Sequence, residues 1–201
     1  MARVRFADES GGLWALVPAK SFGRAKSRLG AVLAPAERRA LARTLLEHVL
    51  AVLAGTGGIE RVAVVTDGRE VAQLAARRGA LALFDGAAGP LGLVVDAALR
   101  DLAERGARRA LVAMSDLPGL ARRDVERMVA LGADSDLVLA PDARDEGTNA
   151  LLVSLPARWP SAFGRRRSFA RHAALARETA MRVAVLRTPG LARDLDEARD
   201  L

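Results

Sequence analysis

The chain has 201 residues, 51% of them apolar, and carries a formal net charge of +7 with a pI near 11.2. That length suits one domain with a sizeable core. Cysteine and tyrosine are absent and there are two histidines, so disulfides, thiolate nucleophiles, Cys-ligated metals and His-rich metal centres are excluded.

Residues 1–12 are polar and mixed in charge, unlike a secretory signal, and read as a flexible start to a single domain over 1–201. No apolar run approaches the ~20 residues that span a bilayer, so a cytoplasmic, soluble protein is expected. Residues 13–17 then read as a buried strand. A helix is expected over 35–53, with Pro35 in its first turn and Glu37 near its positive end. A strand follows at 61–66, a helix at 69–78 closed by Gly79, and a short strand at 80–84. Next come a helix at 94–105, an apolar strand at 109–114 and a helix at 122–131. Strands at 136–140 and 149–155 flank an acidic, glycine-bearing loop. A helix at 168–180, a strand at 182–186 and a terminal turn from Asp196 complete the chain.

Strands that are apolar throughout, alternating with amphipathic helices, argue for α/β: a three-layer sandwich around a mostly parallel sheet. Residues 140–155 break the rhythm and read as a small added β-hairpin lobe. In open α/β sheets ligands bind beyond the carboxyl ends of the strands. The segments to inspect are therefore 18–29, Thr66-Asp67, 85–92, Ser115-Asp116, 142–149 and 188–196.

The positive balance suits an anionic partner. Most arginines are interleaved with acids and apolar residues, and aromatics make up 3% of the chain, so nucleic acid is not the expected partner. The basic residues comprise 29 arginines and two lysines, Lys20 and Lys26, both in the first loop. A lysine ammonium is a compact charge with three rotatable donors, suited to phosphate oxygens, whereas a guanidinium is a flat fork. The loop is not a P-loop, because Gly23 stands three residues before Lys26 with no second glycine ahead of it. Gly86, Gly89 and Gly92 are spaced three apart, lack the G-x-G turn and read as loop glycines.

Three further elements carry chemistry. Asp116 directly follows an apolar strand, and Asp194 and Asp196 put two carboxylates on one side of an extended segment; such oxygens suit Mg²⁺ bridging substrate phosphates. Gly147-Thr148-Asn149 offers backbone and side-chain donors to an oxyanion. Ser168 can cap the next helix while donating to an anion at its positive end, beside the Arg165-Arg166-Arg167 run. His172 reads equally well as structural or catalytic, and His48 as structural.

In order, the motifs V-P-A-K-x-x-x-x-A-K-S-R-L (17–29), S-D-L-P (115–118), G-T-N-A-L-L (147–152), S-F-x-x-H (168–172) and Asp194-Leu195-Asp196 resemble the 2-phospho-L-lactate and phosphoenolpyruvate guanylyltransferase family of coenzyme F420 biosynthesis. The resemblance implies a nucleotide-diphospho-sugar transferase type of fold. It implies transfer of GMP from GTP to 2-phospho-L-lactate, phosphoenolpyruvate or 3-phosphoglycerate with release of pyrophosphate. Lys20, Lys26 and Asp116 would be catalytic. Pro18, Ala19, Lys20, Lys26, Arg28, Thr66 and Asp96 would face the nucleotide. Thr148, Asn149, Gly164 and Ser168 would bind the acid, and Asp116, Asp194 and Asp196 would hold Mg²⁺. A downstream transferase capturing the product and a homodimer are partners compatible with it. In this chain Gly164 to Ser168 is one residue longer than the family's G-x-x-S, and Asp96 stands where the family has Asn. Two alternatives stay open: a molybdenum-cofactor or sugar-phosphate nucleotidyltransferase, and a non-enzymatic basic module for nucleotide or RNA.

Overall fold

The computed structural model describes residues 12–84, 89–157 and 159–200. The expectation for residues 1–11, that for Gly86 as a loop glycine, and residues 85–88 of the segment singled out for inspection lie outside the described residues.

Seven strands form one sheet in the order β3-β2-β1-β4-β6-β5-β7. They are β1 (Leu13–Pro18), β2 (Arg61–Thr66), β3 (Leu81–Phe84), β4 (Arg109–Ala113), β5 (Leu137–Pro141), β6 (Thr148–Ser154) and β7 (Val183–Val185). All neighbours pair in parallel except β6, which runs antiparallel to both β4 and β5. The helices are α1 (Pro35–Ala54), α2 (Arg69–Arg77), α3 (Leu91–Glu104), α4 (Arg122–Leu131), α5 (Ser168–Glu178) and the single turn α6 (Pro189–Ala192).

The strands read as continuous apolar runs because both sheet faces are covered. Alternate residues of β1 serve opposite layers: Leu13, Ala15 and Val17 face α1, α2, α4 and α6, while Trp14 and Leu16 face α3 and α5. The same division holds for Leu111 against Val112 in β4 and for Leu152 against Leu151 in β6. Each fully buried valine or leucine among them contributes about 1.5–3 kcal/mol of apolar burial.

Local signals set the helix ends. Pro35 starts α1, and the Glu37 carboxylate accepts the Ala34 N–H at 2.7 Å, which ties down the first turn. Helix α3 begins at Leu91, one turn before the expected start. Gly92 therefore lies in a helix and not in a loop. A Cβ there would sit 3.2 Å from the carbonyl oxygens of both Ser161 and Phe163, so the glycine lets the 161–163 segment press against the helix.

The hairpin over 140–155 exists, but it is part of the sheet and not a lobe beside it. β6 enters between β4 and β5, and its register pairs Val112 with Leu151 and Ala113 with Ala150. Beyond the last pair, the Met114 N–H donates to the Asn149 carbonyl at 2.9 Å. The amino end of β6 thus lies beside the carboxyl end of β4, at the edge where the parallel strands also finish.

Candidate functional site

The first loop is folded back onto the ends of β1 and β2. The Ser21 N–H donates to Asp67 Oδ1 at 2.7 Å, the Phe22 N–H donates to Glu70 Oε1 at 3.1 Å, and Phe22 itself is buried. Arg24 pairs with Asp67. A Cβ on Gly68 would meet Ser21 Cα at 2.7 Å, so only glycine permits this approach. The loop turns at Lys26, whose φ of 56° is left-handed and unusual for a residue with a side chain. That turn directs the ammonium inward, where Nζ lies 2.6 Å from Asp116 Oδ2 with the Lys26 side chain 7% exposed. Lys20 is exposed, and with Lys26 and Ser115 it lines a small cavity of about 30 Å³ under the loop.

The carboxyl-terminal segment closes over the same edge. The Leu195 N–H donates to the Asp116 carbonyl at 3.0 Å. Burial pushes the Asp194 carboxyl above the usual carboxylate range, and the negative charges of Asp116, Asp142 and Asp196 push it further. Asp196 faces Arg28 at 2.7 Å in an exposed pair. Among the described residues no group of three or more His, Cys, Asp or Glu forms a metal cage. Asp116 is paired with the Lys26 ammonium and Asp196 with the Arg28 guanidinium, while Asp194 is raised by burial among these neighbouring carboxylates.

The start of β6 supplies the other side. Asn149 is buried, and its amide donates to the Leu191 carbonyl at 2.9 Å, which fastens α6 and the segment leading to Asp194. Thr148 Oγ1 is 2.9 Å from His172 Nδ1 and 3.3 Å from Ser168 Oγ. The Ala162 N–H donates to His172 Nε2 at 2.8 Å. Trp159 and Phe163 pack edge-on against the imidazole. Its burial pulls the pKa down to about 4. Gly164, with φ 76°, packs a bare Cα against Leu91, where a Cβ would come to 3.0 Å of the leucine Cβ.

The structure therefore brings Pro18, Ala19, Lys20, Lys26, Asp116 and Asp194 to one edge, with Thr148 and Ser168 at the neighbouring strand end. Thr66 lies at that edge too, but its hydroxyl is buried and accepts the Gly68 N–H at 3.0 Å. Asp96, on α3, uses Oδ1 to accept the Ser161 N–H at 2.9 Å. His48 Nε2 bonds the Leu120 carbonyl at 2.9 Å, a structural role. Sequence reasoning assigned no role to Asp67 or Asp142, although both follow strands. Asp142 holds the 142–147 turn by accepting the N–H groups of Arg144, Glu146 and Gly147. A cavity of about 510 Å³ lies at the opposite edge, between Glu60, Arg61 and Arg78 at the amino ends of β2 and β3. It is remote from all of these groups.

A mostly parallel sheet with cations and carboxylates gathered at the carboxyl strand ends defines a nucleotidyltransferase-like α/β domain. A putative nucleotide-diphospho-sugar transferase from Desulfovibrio desulfuricans G20 shares the fold, with a TM-score of 0.75 over 92% of this chain and 83% of that one at 18% identity. Residues 13–201 match the family described as guanylyl transferase CofC like, and the chain belongs to that family. It is 42% identical over 190 residues to the phosphoenolpyruvate guanylyltransferase of Sphaerobacter thermophilus, covering 93% of this chain and 89% of the relative. It is 37% identical to the 3-phospho-D-glycerate guanylyltransferase of Phenylobacterium zucineum, covering 88% and 82%. No helix among the described residues is long and apolar enough to cross a membrane.

Proposed function

We propose that this chain transfers GMP from GTP to a phosphorylated three-carbon acid, with phosphoenolpyruvate the first choice of acceptor, in coenzyme F420 biosynthesis. The observation that carries the reading is the Lys26–Asp116 pair beside Asp194, one strand end away from Thr148 and Ser168. An anion-handling centre therefore adjoins a pair of hydroxyls at a helix N-terminus, as a reaction between two polyanions requires.

A phosphate oxygen of the acid attacks the α-phosphorus of GTP, a new P–O bond forms, and the bond to pyrophosphate breaks. The attacking phosphate has its second pKa near ~6, so it is ionised at neutral pH and needs no general base. That suits a site whose one buried histidine is neutral. The remaining barrier is charge repulsion and alignment. Lys26 and Lys20 neutralise triphosphate oxygens, and the strand ends hold the donors in place. Asp116 and Asp194 would hold Mg²⁺ together with substrate phosphates, since that ion is commonly bound by one or two carboxylates and phosphate oxygens. Bound there, it would neutralise developing charge on the phosphates. Capture of the product by a downstream transferase, and assembly of two copies, belong to the same reading.

The test is pyrophosphate release from GTP and Mg²⁺ with phosphoenolpyruvate, 3-phosphoglycerate or 2-phospho-L-lactate offered separately, and with ATP and CTP as controls. Release with GTP and phosphoenolpyruvate is expected. GTP binding without release from any acid would overturn the acceptor class, and an absence of GTP binding would overturn the whole reading.

A further inference from the structure

We infer that His172 is a positioning residue that sets the direction of the hydroxyl protons at the acceptor site, leaving Thr148 and Ser168 with one uncommitted O–H for an acceptor-only oxygen of the substrate. The inference rests on the functional reading above for the identity of that substrate, but not for the proton arrangement itself.

A backbone N–H can only donate, so Ala162 makes His172 Nε2 an acceptor. The imidazole is buried and neutral, so its single proton is on Nδ1 and points at Thr148 Oγ1. Thr148 Oγ1 therefore accepts from the ring and cannot spend its proton there. Thr148 and Ser168 hold two hydroxyl protons between them, and the hydrogen bond joining them at 3.3 Å uses one. Whichever way that bond runs, one O–H remains. Ser168 opens α5, so the remaining donor lies at the positive end of an eleven-residue helix, where an anion is favoured. A carboxylate or phosphate oxygen satisfies it, whereas a donor group placed there would meet a proton. With the other tautomer, or with a carboxylate in place of His172, a hydroxyl proton would turn inward and the surplus would vanish.

The chain has two histidines, so ¹⁵N spectra of histidine-labelled protein read the tautomers directly. His48, facing a carbonyl through Nε2, serves as the internal contrast and is assigned with H48Q. His172 is expected to carry its proton on Nδ1 from about pH 5.5 to pH 8. A proton on Nε2, or an imidazolium at pH 7, would overturn the inference whatever the enzyme's substrate proves to be. In turnover assays His172→Leu should raise KM for the acid about tenfold or more while KM for GTP stays within about twofold. His172→Asn, whose amide N–H can stand in for Nδ1–H, should recover most of that loss. An unchanged acid KM in H172L, in a preparation whose wild type turns over, would overturn the inference alone. Failure of the wild type to turn over with any acid would count against the functional reading and leave the tautomer result as the judge of this one.

Discussion

Lys26 Nζ lies 2.6 Å from Asp116 Oδ2 across 90 residues of chain, and the contact is made by a lysine whose backbone is left-handed. The pair joins the first loop to the end of β4 and holds the ammonium against the Asp116 carboxylate at the strand edge. Lys26→Ala should lower kcat/KM for pyrophosphate release by about 10²–10³. Lys26→Arg should recover little, because a flat guanidinium cannot occupy the space of a compact ammonium in a side chain already shielded from solvent. Steady-state kinetics of K26A, D116A and the double variant check this. Two losses that simply multiply would mean that the residues act independently.

Asn149→Ala should loosen the carboxyl-terminal segment. It removes the donor to the Leu191 carbonyl and leaves a buried acceptor unpaired, at a cost of about 1–3 kcal/mol. For a domain of this size that corresponds to a Tm lower by very roughly 2–12 °C. Hydrogen exchange over 188–200 should rise while that of β1 and β4 does not. Exchange rising uniformly through the sheet would show that Asn149 supports the core instead.

Asp194→Asn should weaken cation binding more than it weakens folding. The carboxyl is held among like charges, so neutralising it relieves repulsion in the metal-free protein, and Tm should stay level or rise. Half-saturation by Mg²⁺ in the GTP-dependent assay should move up about tenfold or more. A fall in Tm with unchanged Mg²⁺ dependence would contradict this.

The pH dependence has a sign that His172 sets. Its pKa is pulled from near 6.5 to about 4, so the unfolded chain binds more protons between those values. Its contribution is full above pH 6.5 and is lost progressively as the pH falls through about 4. The order of magnitude is about 3 kcal/mol. Asp136, Asp145 and Asp200, whose carboxyls are lowered by hydrogen bonds, act in the same direction but below the usual carboxylate value of 3.8. Asp194, shifted up by burial, acts in the opposite direction above 3.8. Urea midpoints of wild type and H172N from pH 4 to 7 should therefore converge as the pH falls. Curves that run parallel would remove His172 from the account.

Much of the fold was legible because its local and global signals agree. Leu13 to Val17 is apolar throughout because both faces of β1 are covered, and Pro35 with Glu37 marks the start of α1 in sequence and structure alike. The place of the 140–155 hairpin was not legible, since nothing in the alternation of residues says which edge of which strand receives β6. Lys20, Lys26 and Asp116 stood out by composition and by position after a strand. The commitments of Thr66, Asp96 and Asn149 did not. Each looks like a ligand-facing polar residue in one dimension, and only the packed chain shows that Gly68, Ser161 and Leu191 each engage one of their hydrogen-bonding atoms. His172 was ambiguous for the same reason, because its two partners come from β6 and from a loop ten residues upstream.

The reversed direction of β6 has a consequence for how such enzymes diversify. A parallel strand in that place would need a crossover helix before its carboxyl end could reach the working edge. The antiparallel strand arrives there at its first residue, after a turn of six. In the function proposed above, the loop that would face the nucleotide and the segment that would face the acceptor belong to separate stretches of chain, 18–29 and 142–172. On that proposal, exchanging the second stretch between relatives that take different acids should retune the acceptor and leave the contacts proposed for the triphosphate in place.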